Sequence, residues 1–239
     1  MMIRINSLLA ICVSLGSGLV ATSAEAAPPG DGWTLSFEDD FVGAALDSEK
    51  WTTEASPGWA GIESSRWPEN LIVKDGYLAI TTKKEQRGGK SWTTGRISSK
   101  SFKQQEGYFE VRMKINAANG IDNAFWLTSS AFEIDIAEVF FPNKIMTTLH
   151  DFKKKQDHSS SELINGKDLS SDFHVYGLLW ESGKLTWYFD DNPIASQACS
   201  VCAAPAGLQV SSAVVKWERP HKGPDNTEMI VDWVRVFRH

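Results

Sequence analysis

Three carboxylates fall within six residues of an otherwise apolar run, Ala131-Phe132-Glu133-Ile134-Asp135-Ile136-Ala137-Glu138-Val139-Phe140-Phe141. Two acids flanking a glycosidic bond are sufficient equipment to hydrolyse it: one attacks the sugar and the other protonates the leaving oxygen. The competing reading is a solvated strand face with scattered acids. The flanking Phe and Ile residues, the mid-chain position and the surrounding tryptophans favour chemistry over that reading.

The geometry that must position these acids follows from strand parity. On an extended strand successive side chains alternate between faces. Glu133 and Asp135 therefore share one face, and Phe132, Ile134 and Ile136 the other. In a regular strand Glu138 would point inward with the isoleucines. An unpaired carboxylate there costs several kcal/mol or titrates to neutrality. One extra residue, a β-bulge around Ile136-Ala137, turns Glu138 onto the face of the other two acids. It also returns Val139 and Phe141 to the apolar side.

Elsewhere the chain shows period-two alternation and almost no helical periodicity. Gly107-Tyr108-Phe109-Glu110-Val111-Arg112-Met113-Lys114-Ile115 reads as a half-buried antiparallel strand. Trp33 to Phe41, Tyr77 to Thr82, Phe173 to Trp180, Leu185 to Phe189 and Met229 to Phe237 read similarly. Asp75-Gly76 and Asp190-Asp191-Asn192-Pro193 are turn signals. Strands so spaced, with no repeat and no linker, predict one all-β sandwich or barrel. The chain has 10 tryptophans. Trp180, Trp187 and Trp233 lie on alternating strands and are expected in or over the core. Trp59, Trp67 and Trp92 lie in stretches broken by Gly, Pro and Ser. There they could stack on pyranose rings and line a sugar-binding cleft.

Met1 to Ala26 read as a secretory signal: Arg4, an apolar region from Ser7 to Val20, and Ala24-Glu25-Ala26 as cleavage site. That run is too short for a spanning helix. The expectation is an exported protein, secreted or periplasmic, with residues 27–239 forming one domain. A formal charge of −6 argues against a nucleic-acid partner. Cys199 and Cys202 form a C-x-x-C pair, which could be redox-active or half of a zinc site. Without a second Cys/His pair or a redox-fold pattern, a local structural disulfide in an exported chain is the better reading.

Glu133-Ile134-Asp135-Ile136-Ala137-Glu138 resembles the E-x-D-x-x-E signature of glycoside hydrolase family 16, which includes laminarinases, mixed-linkage β-glucanases, agarases and κ-carrageenases. Ala124-Phe125-Trp126-Leu127, Gly95-Arg96-Ile97-Ser98-Ser99 and Gly107 to Arg112 resemble further strands of the family. Phe173 to Trp180 and Val231 to Phe237 fit its C-terminal strands. The resemblance implies a β-jelly roll of two curved antiparallel sheets with the substrate cleft across the concave face. It implies Glu133 as nucleophile, Glu138 as general acid and then base, and Asp135 hydrogen-bonded toward the nucleophile. It also implies a retaining mechanism, which needs carboxyl groups about 5–5.5 Å apart. No cofactor for catalysis is implied.

For substrate binding the resemblance points to Trp126, Arg96, Glu63, Trp67, His150 and Trp217. For a structural calcium ion it points to the Asp232 carboxylate with the Asp40 and Gly76 carbonyls; oxygen ligands suit that ion. Departures from glucan-cleaving relatives occur at Gly61 to Trp67, at Asp122-Asn123 and at Ser211 to Trp217. Basic residues Arg66, Arg96, Lys216, Arg219 and His221 could meet anionic groups on an acidic polysaccharide. The leading expectation is a monomeric, endo-acting retaining β-glycanase, with no membrane partner. Its first candidate substrate is a β-1,3 or mixed β-1,3/1,4-glucan. A galactan of the agar or carrageenan type, a transglycosylase, and a catalytically silent sugar-binding protein are the alternatives.

Overall fold

The computed structural model describes residues 28–164, 166–218 and 223–239. The expected signal segment Met1 to Ala26 lies outside the described residues, as do Arg219 and His221. In the first half of the chain the alternating runs become β1 (Thr34–Asp39), β2 (Trp51–Thr53), β3 (Ser64–Arg66), β4 (Leu71–Lys74), β5 (Tyr77–Thr82), β6 (Trp92–Thr94), β7 (Arg96–Ser99) and β8 (Gly107–Lys114). Then come β9 (Ile121–Thr128), β10 (Phe132–Phe140), β11 (Lys144–Asp151) and β12 (Gln156–Leu163). The last five are β13 (His174–Glu181), β14 (Lys184–Phe189), β15 (Asn192–Ala198), β16 (Gly207–Val214) and β17 (Thr227–Arg238). A 3-10 turn at Pro68–Asn70 is the only helical element among the described residues.

Two large antiparallel sheets face each other. One runs β12-β11-β10-β9-β16-β7-β2 and carries the acidic strand β10 near its middle. The other runs β15-β14-β13-β8-β17-β5-β4, with β1 pairing along the C-terminal half of β17. A small parallel pair, β3 with β6, stands beside the first sheet. The inward side chains of both sheets form one core. Phe109, Val111 and Met113 of β8 meet Phe125 and Leu127 of β9, Phe132 and Ile134 of β10, and Val234 and Val236 of β17, all fully buried. Each contributes roughly 1.5–3 kcal/mol by leaving water. Trp180 is sealed between Phe109 and Phe132, and Trp187 and Trp233 are buried as expected.

The turn signals act as predicted. Asp75 and Gly76 both take positive φ between β4 and β5, and Asp190 and Asp191 do so between β14 and β15. These are two-residue hairpins whose twist matches the strands they join. Asn192 and Pro193, read as part of the second turn, instead begin β15. A proline is tolerated there because β15 is the edge of its sheet and the register slips beside it. Cys199 and Cys202 are bonded to each other and buried just after β15.

On the outer face of the β8 sheet, Asp232 is ion-paired with Arg112, and the Asp40 carboxylate lies 3.6 Å from Arg235. One oxygen of the Asp232 carboxylate, the side chain expected to hold calcium, is thus engaged by a guanidinium.

Candidate active site

Strand β10 is bulged where parity required it. Against β11, Asp135 pairs with Thr148 and the next matched residue is Glu138, opposite Met146. Against β9, Asp135 faces Trp126, and Ala137 already faces Phe125. The extra residue is Ile136, and it brings Glu133, Asp135 and Glu138 to one face while Ile134, Ile136, Ala137 and Val139 stay in the core. The indole N–H of Trp187, from the opposite sheet, donates to the Asp135 carbonyl over 2.9 Å and pins the bulge from behind. Phe140 falls on the acid side of the strand and is covered by a second apolar cluster of Ile62, Ala213, Val215 and Met146.

The three acids line a cleft of about 630 Å³. Of the residues expected to bind substrate, Trp126, Arg96, His150 and Trp217 line the same cleft. Trp126 is held upright by its indole N–H, which donates to Ser211 Oγ over 3.1 Å. Arg96 lies 5.8 Å from the Trp126 ring centre and forms an ion pair with Glu54. Arg66 reaches the other oxygen of Glu54 at 3.2 Å. One carboxylate therefore joins two guanidiniums at the β7 side of the cleft. Trp59 and Trp217, also lining the cleft, stand 5.8 Å apart, both exposed. The Trp59 ring lies over Gly61, where an added Cβ would come within 1.8 Å of the ring. Lys216 ties this loop down by donating to the Ala60 carbonyl over 2.7 Å.

Two expected binding residues are not brought in. Trp67 follows Arg66, and alternation sends the arginine to the cleft and the tryptophan away from it. Its ring lies under the Arg87 guanidinium at 3.6 Å, and its N–H donates to Ser65 Oγ. Glu63 is not among the cleft-lining residues; its backbone N–H donates to the Val214 carbonyl. Trp92 is buried in β6, so of the three loop tryptophans only Trp59 reaches the cleft. Asp122 and Glu54 line the cleft without having been singled out as site residues. For Asp122 a signal existed: it has the parity of Trp126 on β9. Glu54, just beyond a three-residue strand, gave none.

The surroundings of the acids set them apart. His150 sits opposite Glu133 in register. Its Nε2 is 2.9 Å from Asp135 Oδ2 and 3.8 Å from Glu133 Oε1, and its Nδ1 is 2.6 Å from Asp157 Oδ1. The hydrogen bond with Asp135 raises the imidazole to about 9, so at neutral pH it is a cation donating to both aspartates. Burial pushes Asp135 up, and the bond with His150 opposes this. Burial, then Asp135, raises Glu133 to about 7, while His150, Arg66 and Arg96 hold it down. Burial, then the charges of Asp122 and Asp135, raises Glu138 to about 10. Glu133 therefore ionises first and Glu138 keeps its proton, the division of labour that paired carboxyls need for displacement with acid assistance.

Comparison with known proteins adds three findings. The family described as "Beta-porphyranase A-D, GH16 domain" matches residues 33–239. Among curated proteins, the chain is 28% identical to the endo-1,3-1,4-beta-glycanase EglC of Rhizobium meliloti over 85% of its own length and 50% of that protein. It is 30% identical to a glucan endo-1,3-beta-glucosidase of Cryptopygus antarcticus, over 66% of this chain and 67% of that protein. The chain thus spans half the length of the Rhizobium relative. Among solved structures, the laminarinase catalytic domain of Thermotoga maritima superposes with a TM-score of 0.80 at 23% identity, covering 87% of this chain and 99% of that one. That last likeness speaks for the fold.

Proposed function

Since the chain belongs to glycoside hydrolase family 16, with residues 33–239 matched, we propose that it is an endo-acting, retaining β-glycanase. The single observation that carries this reading is the bulged strand. It presents Glu133 and Glu138 to one cleft, the first carboxyl ionisable and the second keeping its proton. In the first step the Glu133 carboxylate bonds to the anomeric carbon, and the Glu138 proton passes to the departing glycosidic oxygen. In the second, Glu138 takes a proton from water while that water's oxygen replaces Glu133 at carbon. Asp135 and His150 hold the charge next to Glu133, and Trp126 and Arg96 border the sugar on the β7 side.

For substrate, a β-1,3 or mixed β-1,3/1,4-glucan is the first reading, supported by the names of the curated relatives. A second reading, an anionic galactan, has its own support. The matched family is described by porphyranases, and Arg66 and Arg96 share a single carboxylate partner, Glu54, in the cleft. Assays of reducing-end release from laminarin, lichenan, agarose, carrageenan and porphyran separate the two. Glu133→Gln is expected to lower turnover about 10³-fold or more on whichever polymer is cleaved, while near-ultraviolet circular dichroism and oligosaccharide binding persist. Near-normal turnover in that variant would refute the mechanism. Binding without release from any polymer, even by the unaltered protein, would favour a sugar-binding role.

The apolar run and Ala24-Glu25-Ala26 support export and removal of residues 1–26, which amino-terminal sequencing of secreted material would check. Calcium at Asp232, with the Asp40 and Gly76 carbonyls, would have to share the carboxylate with Arg112, whose guanidinium holds one of its oxygens. A chelator is therefore expected to leave Tm unchanged. A clear fall in Tm would restore the calcium site.

A further inference from the structure

Asp122 and Glu138 bring their carboxyl groups within hydrogen-bonding reach of each other. A carboxylate only accepts, so two carboxyl oxygens can bond only with a proton between them. Strand pairing makes this contact. Glu138 lies opposite Ala124 on β9, and Asp122, two residues along, shares its face and lies opposite Ala213 of β16. Small side chains at 124 and 213 leave the two carboxyls side by side. The wall around them is apolar, with Met146 opposite Glu138 and with Ile62 and Ala213 beside it. The second oxygen of Asp122 is buried and has no other partner.

We propose that Asp122 is a positioning residue for the acid/base. It shares one proton with Glu138 and so keeps Glu138 protonated toward alkaline pH. This rests on the reading of Glu138 as the general acid. When Glu138 gives its proton to the leaving oxygen, the glycosidic C–O bond breaks as the Glu133–carbon bond forms, and the pair loses one proton. It regains one when water attacks the glycosyl-enzyme, releases Glu133 and delivers its proton to Glu138. Other ionisable groups around the pair are Glu133 and Asp135 on β10, His150 on β11, Arg66 on β3 and Arg96 on β7. The Glu218 carboxylate, beyond β16, also acts on Asp122 and is itself paired with Lys144. None of these is hydrogen-bonded to Glu138, so Asp122 is the partner whose removal isolates the effect.

The test compares unaltered protein with Asp122→Asn and Asp122→Glu. Protein labelled with ¹³C at the glutamate carboxyl is titrated by NMR, with Glu138 assigned through Glu138→Gln. The midpoint of Glu138 is expected to fall by about one pH unit or more in Asp122→Asn and to recover, at least in part, in Asp122→Glu. The alkaline limb of kcat/KM on the cleaved polysaccharide should move down with it, while the acidic limb stays. A purely structural aspartate would lower turnover equally at all pH values and leave both midpoint and limb in place, and that result would overturn the proposal. Because the NMR midpoint needs no substrate, a shift seen in a protein that cleaves no polysaccharide would retain the proton sharing and reject the enzymatic reading instead.

Discussion

Glu133 and Glu138 are the same side chain five positions apart, and their environments give them opposite work. Glu133 is held down by His150, Arg66 and Arg96, while Glu138 has carboxyl neighbours and an apolar wall. Glu133 must be ionised to attack, so kcat/KM should rise as pH passes about 7; Glu138 must be protonated, so it should fall toward about 10. A pH profile on a cleaved polysaccharide is expected to be a bell with its top on the neutral-to-alkaline side. An optimum near pH 5 would contradict these environments. Away from the cleft, Glu110 on β8 is fully buried, opposite Arg235 in register, with neither oxygen hydrogen-bonded. Burial raises its carboxyl from 4.5 to about 8. Folding then binds a proton between those values, so stability is lost as pH rises from the ordinary carboxylate range to about 8. Glu110→Gln should remove that slope and stabilise the protein at pH 8 to 9 by a few kcal/mol, read as a higher Tm whose advantage vanishes near pH 4.

At the scale of the strand, the bulge in β10 decides whether there is a site at all. Its position was legible because a buried, unpaired Glu138 is energetically untenable, and a single inserted residue is the cheapest remedy. What holds the bulge was not legible: Trp187 lies fifty-two residues away and in the other sheet. Trp187→Phe keeps an aromatic in place and removes the donor to the Asp135 carbonyl. It should cost about 1 kcal/mol of stability for the bond itself, with some further packing loss, and lower kcat more than it changes KM. Equal stability and equal kcat would mean that the bulge holds itself. Short elements were the hardest to read. β3 has three residues, too few for alternation to declare a face or to test the resemblance, which points Trp67 to the cleft that Arg66 lines and Trp67 does not. The pairing of β3 with β6, parallel and non-local, leaves no local pattern either.

At the scale of the molecule, the hydrophobic alternation of the long strands was enough to foresee two packed sheets, because each such strand must bury one face. The long strands β5, β8, β13 and β17 lie within one or two residues of where their patterns placed them. Which sheet faces the sugar, and which loops rise beside it, depend on strand order. That order is set by contacts far apart in the chain: β9 sits between β10 and β16, and β16 brings Ser211 and Ala213 to the same cleft as the acids. Glu54 became a site residue only through that assembly. The two displacements proposed for Glu133 and Glu138 each invert the anomeric carbon, so together they return its configuration. The direct check is ¹H NMR of the reducing end released in the first turnovers of a cleaved β-glycan, before mutarotation. The β-anomer is the expected product; the α-anomer, formed first, would contradict the nucleophilic role of Glu133.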